Sequence, residues 1–238
     1  MDILAIAPFR MRLTPLPMQS DHPSMCNLYR NSTGAAEVAR LFKVEPGDIA
    51  TGNAAEEVYP GYPGMVVREQ EGHRVLQSMS WGFPVRLKSM KPTSKPKAVN
   101  NARDDKLGTP FWRPSFESRR CIIPITQWAE AEGETGRMTR TWYSLLGTQL
   151  FAVAGIWRPT DEWGNAYSMV MVDGCPQMSD VHDRMPVLLT ADQYDPWMRA
   201  PAEEALALVR TCHDDLAVDR STELWFKPRA KPSDANLI

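Results

Sequence analysis

The sequence predicts a single α+β domain with mostly antiparallel strands and helices at its margins. Short apolar, β-branched runs recur through the middle of the chain, each closed by glycine or proline. Helical spacing of apolar residues is confined to the flanks. No internal repeat or low-complexity tract suggests an array or a linker, and 238 residues suffice for one sizeable core.

Residues 1–24 contain Pro8, Pro15, Pro17 and Pro23 and show neither a helical nor a strand period. They read as an extension or as a misassigned start, to be removed from a domain spanning residues 25–238. A first helix is expected from Asn31, capped by Thr33, with Val38, Leu41 and Phe42 on one buried face. Glu45-Pro46-Gly47-Asp48 ends it. The double turn Tyr59-Pro60-Gly61-Tyr62-Pro63-Gly64 leads into a strand at Met65-Val66-Val67. A second strand is expected over residues 74–81, stopped by Gly82-Phe83-Pro84. Pro92 and Pro96 keep the following loop irregular, and a helical turn is expected at 104–107.

Cys121-Ile122-Ile123-Pro124-Ile125 reads as a buried strand whose proline implies an edge or a bulge. It continues through Thr126-Gln127-Trp128-Ala129-Glu130. Residues 142–146 and 150–156 flank Gly147-Thr148-Gln149, which predicts a β-hairpin. Strands are expected at 167–172 and after His182-Asp183-Arg184-Met185-Pro186. Two helices follow, one at 192–199 and one opening at Pro201.

Hydrophobic content of 43% and charged content of 24% are those of an ordinary globular protein. No apolar run approaches a membrane span, and the short apolar patch near the start has no small-residue cleavage site. Cys26, Cys121, Cys175 and Cys212 are far apart and form no Cys-x-x-Cys pair. Neither a disulfide framework nor a structural zinc site is supported, and no cofactor or metal is expected. These features suggest a cytoplasmic protein with reduced thiols. The net charge of −2 requires no nucleic-acid partner. Locally, however, Arg86, Lys88, Lys91, Lys95, Lys97 and Arg103 occur with no acid among them. Such a stretch suits contact with a phosphate backbone, and equally suits a solvated surface loop.

Met25-Cys26-Asn27-Leu28-Tyr29 is chemically loaded under one condition. If Cys26 becomes the N-terminal residue, its α-amine and thiol can capture an aldehyde together, as a Schiff base closed to a thiazolidine. With a pKa of about 7.7, roughly a sixth of such an amine is neutral at pH 7, against a far smaller fraction of a lysine near 10.4. Taken alone, the pentapeptide fits a buried, inert thiol better. Asn101, Glu130 and His182 are three further polar residues that structure does not obviously need. Each also has an ordinary explanation, as a turn asparagine, a strand-end acid and a turn histidine. The sequence contains no Gly-rich phosphate loop, Gly-x-Ser-x-Gly or His-Glu-x-x-His motif.

In combination, Met25-Cys26, Trp81-Gly82, Asn101-Ala102-Arg103, the Arg119-to-Pro124 run leading to Glu130, Ala154-Gly155-Ile156-Trp157 and His182-Asp183-Arg184-Met185-Pro186 resemble the SOS response-associated peptidase, or abasic-site-processing, family. The resemblance covers residues 25 to about 189. It implies a bent, barrel-like sheet and a protein of the DNA damage (SOS) response. Such a protein binds single-stranded DNA and traps the ring-opened abasic-site aldehyde on an N-terminal cysteine. By the same resemblance Cys26 is the cross-linking nucleophile, exposed by loss of what precedes it. Asn101 holds the cysteine and sugar, Glu130 is the acid/base, and His182 lies near sugar and phosphate. Arg103 lies along the DNA backbone. A thiol autopeptidase (hydrolase) with possible lyase activity is implied, in a monomer that associates with the nucleoid while on DNA.

With that reading, Arg86 and Lys88 become backbone contacts, and Trp81 and Phe83 become candidates to stack on splayed bases. Four departures stand out, one being that the family threonine after the strand before the histidine is not evident in Val172-Asp173-Gly174. Asn27 and Leu28 replace the family's Gly-Arg, with Arg30 a possible substitute for the arginine. Ala131 replaces the tryptophan that usually follows the acid, and Tyr59-Pro60 is all that remains of an Asn-x-x-Pro motif. Two alternatives carry different chemistry: a cysteine peptidase using Cys26, His182 and Asn101 on other proteins, and a non-catalytic single-strand binding module.

Overall fold

The structure, a computed structural model, describes residues 26–225 except 53 and 92. The expectations for residues 1–24 and for Met25 lie outside the described residues.

In chain order the elements are β1 (Leu28–Arg30), α1 (Ala35–Phe42), β2 (Ile49–Ala50), β3 (Glu57–Val58), β4 (Pro63–Gln70), β5 (His73–Trp81), β6 (Phe83–Val85), β7 (Lys97–Val99), β8 (Asn101–Arg103), α2 (Arg113–Ser118), β9 (Arg120–Ile125) and β10 (Gln127–Glu132). They continue with β11 (Thr139–Leu145), β12 (Phe151–Thr160), β13 (Gly164–Asp173), β14 (Arg184–Pro186), β15 (Leu188–Leu189), α3 (Tyr194–Arg199), α4 (Ala202–Leu206) and β16 (Leu216–Leu224). A 3-10 turn at Asp104–Lys106 matches the helical turn expected there.

The fold is mostly β, as expected. In the larger sheet β13 pairs with β12, β12 with β9, β9 with β4 and β4 with β5, all antiparallel. A parallel contact of β5 with β13, Ser80 opposite Ala166 and Trp81 opposite Tyr167, turns the path back on itself. The result is ring-like rather than a closed barrel. The second sheet runs β16-β11-β10-β1-β3. Apolar side chains of the ring strands, among them Val66, Leu76, Ile122, Ile123, Val153 and Val170, are fully buried. Their near-continuous apolar character suits strands covered on both faces.

Several local expectations are corrected. Residues 139–145 and 151–160 are strands, but not a hairpin. β11 pairs with β10 and β16 in one sheet, and β12 with β13 and β9 in the other. The glycine turn between them therefore carries the chain from sheet to sheet. β9 is an interior strand, and Pro124 lies beyond its pairing with β4, which ends at Val67–Ile122 and Arg68–Cys121. There the missing N–H breaks no ladder bond on that side. In the first helix Leu41 is 43% exposed, and Val38, Ala39 and Phe42 form the buried face. Thr33 does not cap that helix; Gly34 holds the N-cap position without a side-chain bond. The strand β16 was not anticipated, because its sequence, Leu-Ala-Val-Asp-Arg-Ser-Thr-Glu-Leu, is polar and mostly exposed.

Among the described residues, no helix is long and apolar enough to cross a membrane.

Candidate active site

Three strand pairings bring the site together. β1 lies antiparallel to β10, with Leu28 opposite Ala129, so Cys26 leads into the strand beside the one carrying Glu130. β13 holds the other half: β8 runs parallel to it with Asn101 opposite Met169. On β13, β14 pairs Arg184 with Asp173, which sets the turn bearing His182. That turn packs on Gly174, where an added Cβ would lie 3.1 Å from the His182 carbonyl oxygen.

Cys26 is fully buried. Its carbonyl oxygen accepts two side-chain amide bonds, from Asn101 Nδ2 at 2.7 Å and Asn100 Nδ2 at 2.9 Å. The Asn100 amide also reaches Asn27 Oδ1 at 3.2 Å. The Cys26 thiol lies 3.6 Å from the Leu28 carbonyl. Burial pushes its pKa well up, and the nearby Glu130 carboxyl adds to the rise.

Glu130 is 2% exposed. Its Oε1, like Asn101 Oδ1, is buried and accepts no hydrogen bond from the described residues. Burial, reinforced by the Asp183 charge, raises the Glu130 pKa well above the usual carboxylate range. A rise of this kind favours the protonated form, the one that can deliver a proton. His182 Nε2 lies 3.9 Å from Glu130 Oε2. On the far side of the ring, Nδ1 accepts the Arg184 amide N–H at 3.0 Å. The Arg184 carbonyl oxygen lies 3.2 Å from the same Nδ1, so that nitrogen faces both a donor and an acceptor, and Nε2 is the ring nitrogen turned toward Glu130.

Asn100, Glu130 and His182 border a cavity of about 430 Å³, whereas Cys26 and Asn101 are buried and do not line it. Asn27, Asn100, Glu130 and His182 make its polar side, and Lys97 contributes a cation. Leu28, Tyr59, Pro60, Ala131, Met138 and Trp225 line the rest. The four residues expected to carry chemistry (Cys26, Asn101, Glu130 and His182) come together through the Asn101–Cys26 bond, the Glu130–His182 contact and the influence of Glu130 on the Cys26 thiol, although they span 157 positions, from 26 to 182 inclusive. Asn100 was missed. Its neighbour, Asn101, carried the motif, and nothing in the sequence says that both amides converge on one carbonyl.

The outlying expectations fare differently. Trp81 and Phe83 are not available to stack on bases, since both are fully buried. Trp81 donates to the Asn100 carbonyl at 3.1 Å and packs edge-on against Tyr29. Its successor Gly82 has φ +110° and would bring a Cβ within 2.7 Å of Ala98, so the Trp-Gly pair is explained by packing. Phe83 lies against Trp112 and beneath the Arg158 guanidinium, 4.0 Å from the ring centre. Arg86 and Lys88 are exposed on the segment joining β6 to β7. Arg86 lies 3.6 Å from Glu162, and Arg103 pairs with Asp105 at 3.0 Å. Arg30 is engaged by Glu57 at 2.7 Å and stacks over Trp142 at 4.2 Å.

The fold and the site define a mixed β protein built around an N-proximal thiol, an amide pair and an acid–histidine pair. A family model described as SOS response associated peptidase (SRAP) matches residues 25–223, and the chain belongs to that family. It is similar to the "Abasic site processing protein YoqW" of Bacillus subtilis (strain 168), 30% identical over 135 residues, covering 52% of this chain and 57% of that one. It is also similar to the "Abasic site processing protein HMCES" of Gallus gallus, 25% identical over 173 residues, covering 58% and 50%. The chain thus spans about half the length of the curated relatives it matches. Among solved structures, a protein from Bordetella bronchiseptica superposes with a TM-score of 0.68 at 21% identity, covering 82% of this chain and 99% of that one. One from Bacteroides thetaiotaomicron gives 0.66 at 20% identity, covering 82% and 92%. Likeness at that identity speaks for the fold.

Proposed function

We propose that the chain processes abasic sites in single-stranded DNA by trapping the ring-opened sugar aldehyde on Cys26, once Cys26 is the N-terminal residue. The observation carrying this reading is that the Cys26 carbonyl is gripped by Asn100 and Asn101 beside a buried Glu130 carboxyl that lies 3.9 Å from His182. The grip falls on the carbonyl of Cys26 itself and so orients the residue, leaving its amine and thiol to react.

The chemistry closes on these groups. The neutral α-amine adds to the aldehyde to give a carbinolamine. Glu130 donates its proton to the hydroxyl, water leaves, and an iminium forms beside a carboxylate. The adjacent positive charge lowers the thiol pKa that burial had raised. The thiol proton returns to Glu130 as sulfur bonds to the iminium carbon. Amine, thiol and aldehyde become a thiazolidine and one water, and the acid is restored. His182, with Nε2 toward Glu130, assists ring opening of the sugar and the proton movements of the reverse reaction.

The exposed Lys88, Lys91 and Lys95, with Arg86 and Arg103, supply the contact with the DNA backbone. Release of Cys26 by the chain itself would make this a thiol autopeptidase. A general cysteine peptidase is less well supported, because Asn101 bonds to the Cys26 carbonyl and does not orient His182.

Incubation with an abasic single-stranded oligonucleotide is expected to give a heat-stable, gel-shifted adduct that Cys26→Ala abolishes. An adduct that persists in the variant would overturn the assignment of Cys26.

A further inference from the structure

Capture of an aldehyde uses the polar side of the cavity. An abasic sugar has no base, and nothing in the trapping chemistry calls for the aromatic part of the lining. That wall is formed by Trp225 and Tyr59, with Leu28 and Met138 beside them, at the same cavity as Glu130 and His182. Trp225 is anchored by its amide N–H to the Met138 carbonyl at 2.8 Å. With Tyr59 it packs on the small cluster of Leu28, Ala129 and Trp142. Ala131, next to Glu130, and Lys97 lie on the same lining.

We infer that the Trp225–Tyr59 wall seats the nucleobase of the nucleotide flanking the abasic site, with Lys97 against the phosphate between them. This rests on the proposed function and deepens it. Covalent continuity favours this occupant. A sugar held at the polar side tethers its neighbour one phosphodiester away, within the reach of the same cavity. An aromatic, otherwise apolar wall with one cation at its edge matches a base joined to a phosphate. Every base has a π-face, so such a wall accepts any of the four. It also supplies binding that an abasic position has lost.

The test is fluorescence-anisotropy binding of the whole chain to single strands carrying a tetrahydrofuran abasic analogue, which has no aldehyde. In one series both flanking bases are present; in others the 3′ or the 5′ base is removed as well. The wild-type protein should lose about tenfold in affinity when the base on one side is removed, in line with stacking energies. Trp225→Ala should bind the intact and base-deleted strands alike, and Trp225→Phe should regain most of the discrimination. Melting temperatures confirm that both variants are folded. Equal binding of all strands by the wild-type protein, or undiminished discrimination in Trp225→Ala, would overturn the inference. Adduct formation with an aldehyde-bearing strand, measured on the same preparations, separates the two failures. An adduct without base discrimination removes only the base seat, whereas loss of both removes the proposed function as well.

Discussion

The side-chain amide of Asn101 donates to the main-chain carbonyl of Cys26 at 2.7 Å, across 75 positions of sequence, and the Asn100 amide meets the same oxygen at 2.9 Å. Two adjacent residues on a strand normally point to opposite faces. Here Asn100 falls just before β8 and Asn101 begins it, so the break in regular structure lets both reach one acceptor.

Removal of either amide should misplace the nucleophile without unfolding the chain. Asn101→Ala is expected to slow adduct formation by about tenfold, the equivalent of ~1.4 kcal/mol for one hydrogen bond to a buried carbonyl. Asn100→Ala should cost less, because the second amide remains. The double variant should lose more than either. Single-turnover kinetics with an abasic strand measures all three.

Glu130→Gln should separate catalysis from stability. The neutral isostere cannot deliver a proton, so the adduct rate should fall by about 10² or more. Stability should move the other way. The Glu130 pKa is raised in the fold, so its contribution is complete below the ordinary value of 4.5 and is lost as pH climbs through the raised value. Glu130→Gln should therefore melt close to wild type near pH 4.5 and above it at alkaline pH, where the wild-type carboxyl is forced to ionise. Thermal melts across pH 4–9 check the sign.

Gly64 is a packing test. A Cβ there would lie 2.0 Å from Tyr29 Oη and 2.2 Å from Tyr167 Oη, two buried hydroxyls hydrogen-bonded to each other. Gly64→Ala must displace that pair, and by overpacking should cost ~1–3 kcal/mol in chemical denaturation. If the loss is smaller in a Tyr29→Phe background, the collision with the Tyr29 hydroxyl is its source.

Much of this arrangement could be read in the sequence. The apolar runs of β4, β5, β9, β12 and β13 announced themselves as strands, and Cys26, Asn101, Glu130 and His182 stood out as polar residues without an obvious structural task. What the sequence hid was long-range. Gly147 marks a turn, but only tertiary pairing decides whether the flanking strands face each other, and β11 and β12 belong to different sheets. Trp81 and Phe83 sit beside a basic loop in sequence yet point into the core. Trp225 lies far from every motif, and β16, the strand it follows, is a polar edge strand that leaves no apolar period to detect.

The basic segment between β6 and β7 should act through salt-dependent contacts. Lys88, Lys91 and Lys95 are exposed on it. Lys88→Ala, Lys91→Ala and Lys95→Ala combined should lower the slope of log affinity against log salt by roughly 2, at about 0.7 per phosphate contact on a single strand. The adduct rate at saturating DNA should be nearly unchanged. Titrations from low to moderate salt read the slope.

The central claim is that the α-amine and thiol of Cys26 act together as the aldehyde trap. Tandem mass spectrometry of the protein–DNA adduct, prepared without a reductant, tests it most directly. The account predicts the sugar remnant on an N-terminal Cys26 as a thiazolidine, with nothing before that residue. A remnant on a lysine, or an adducted chain still carrying Met25, would contradict it.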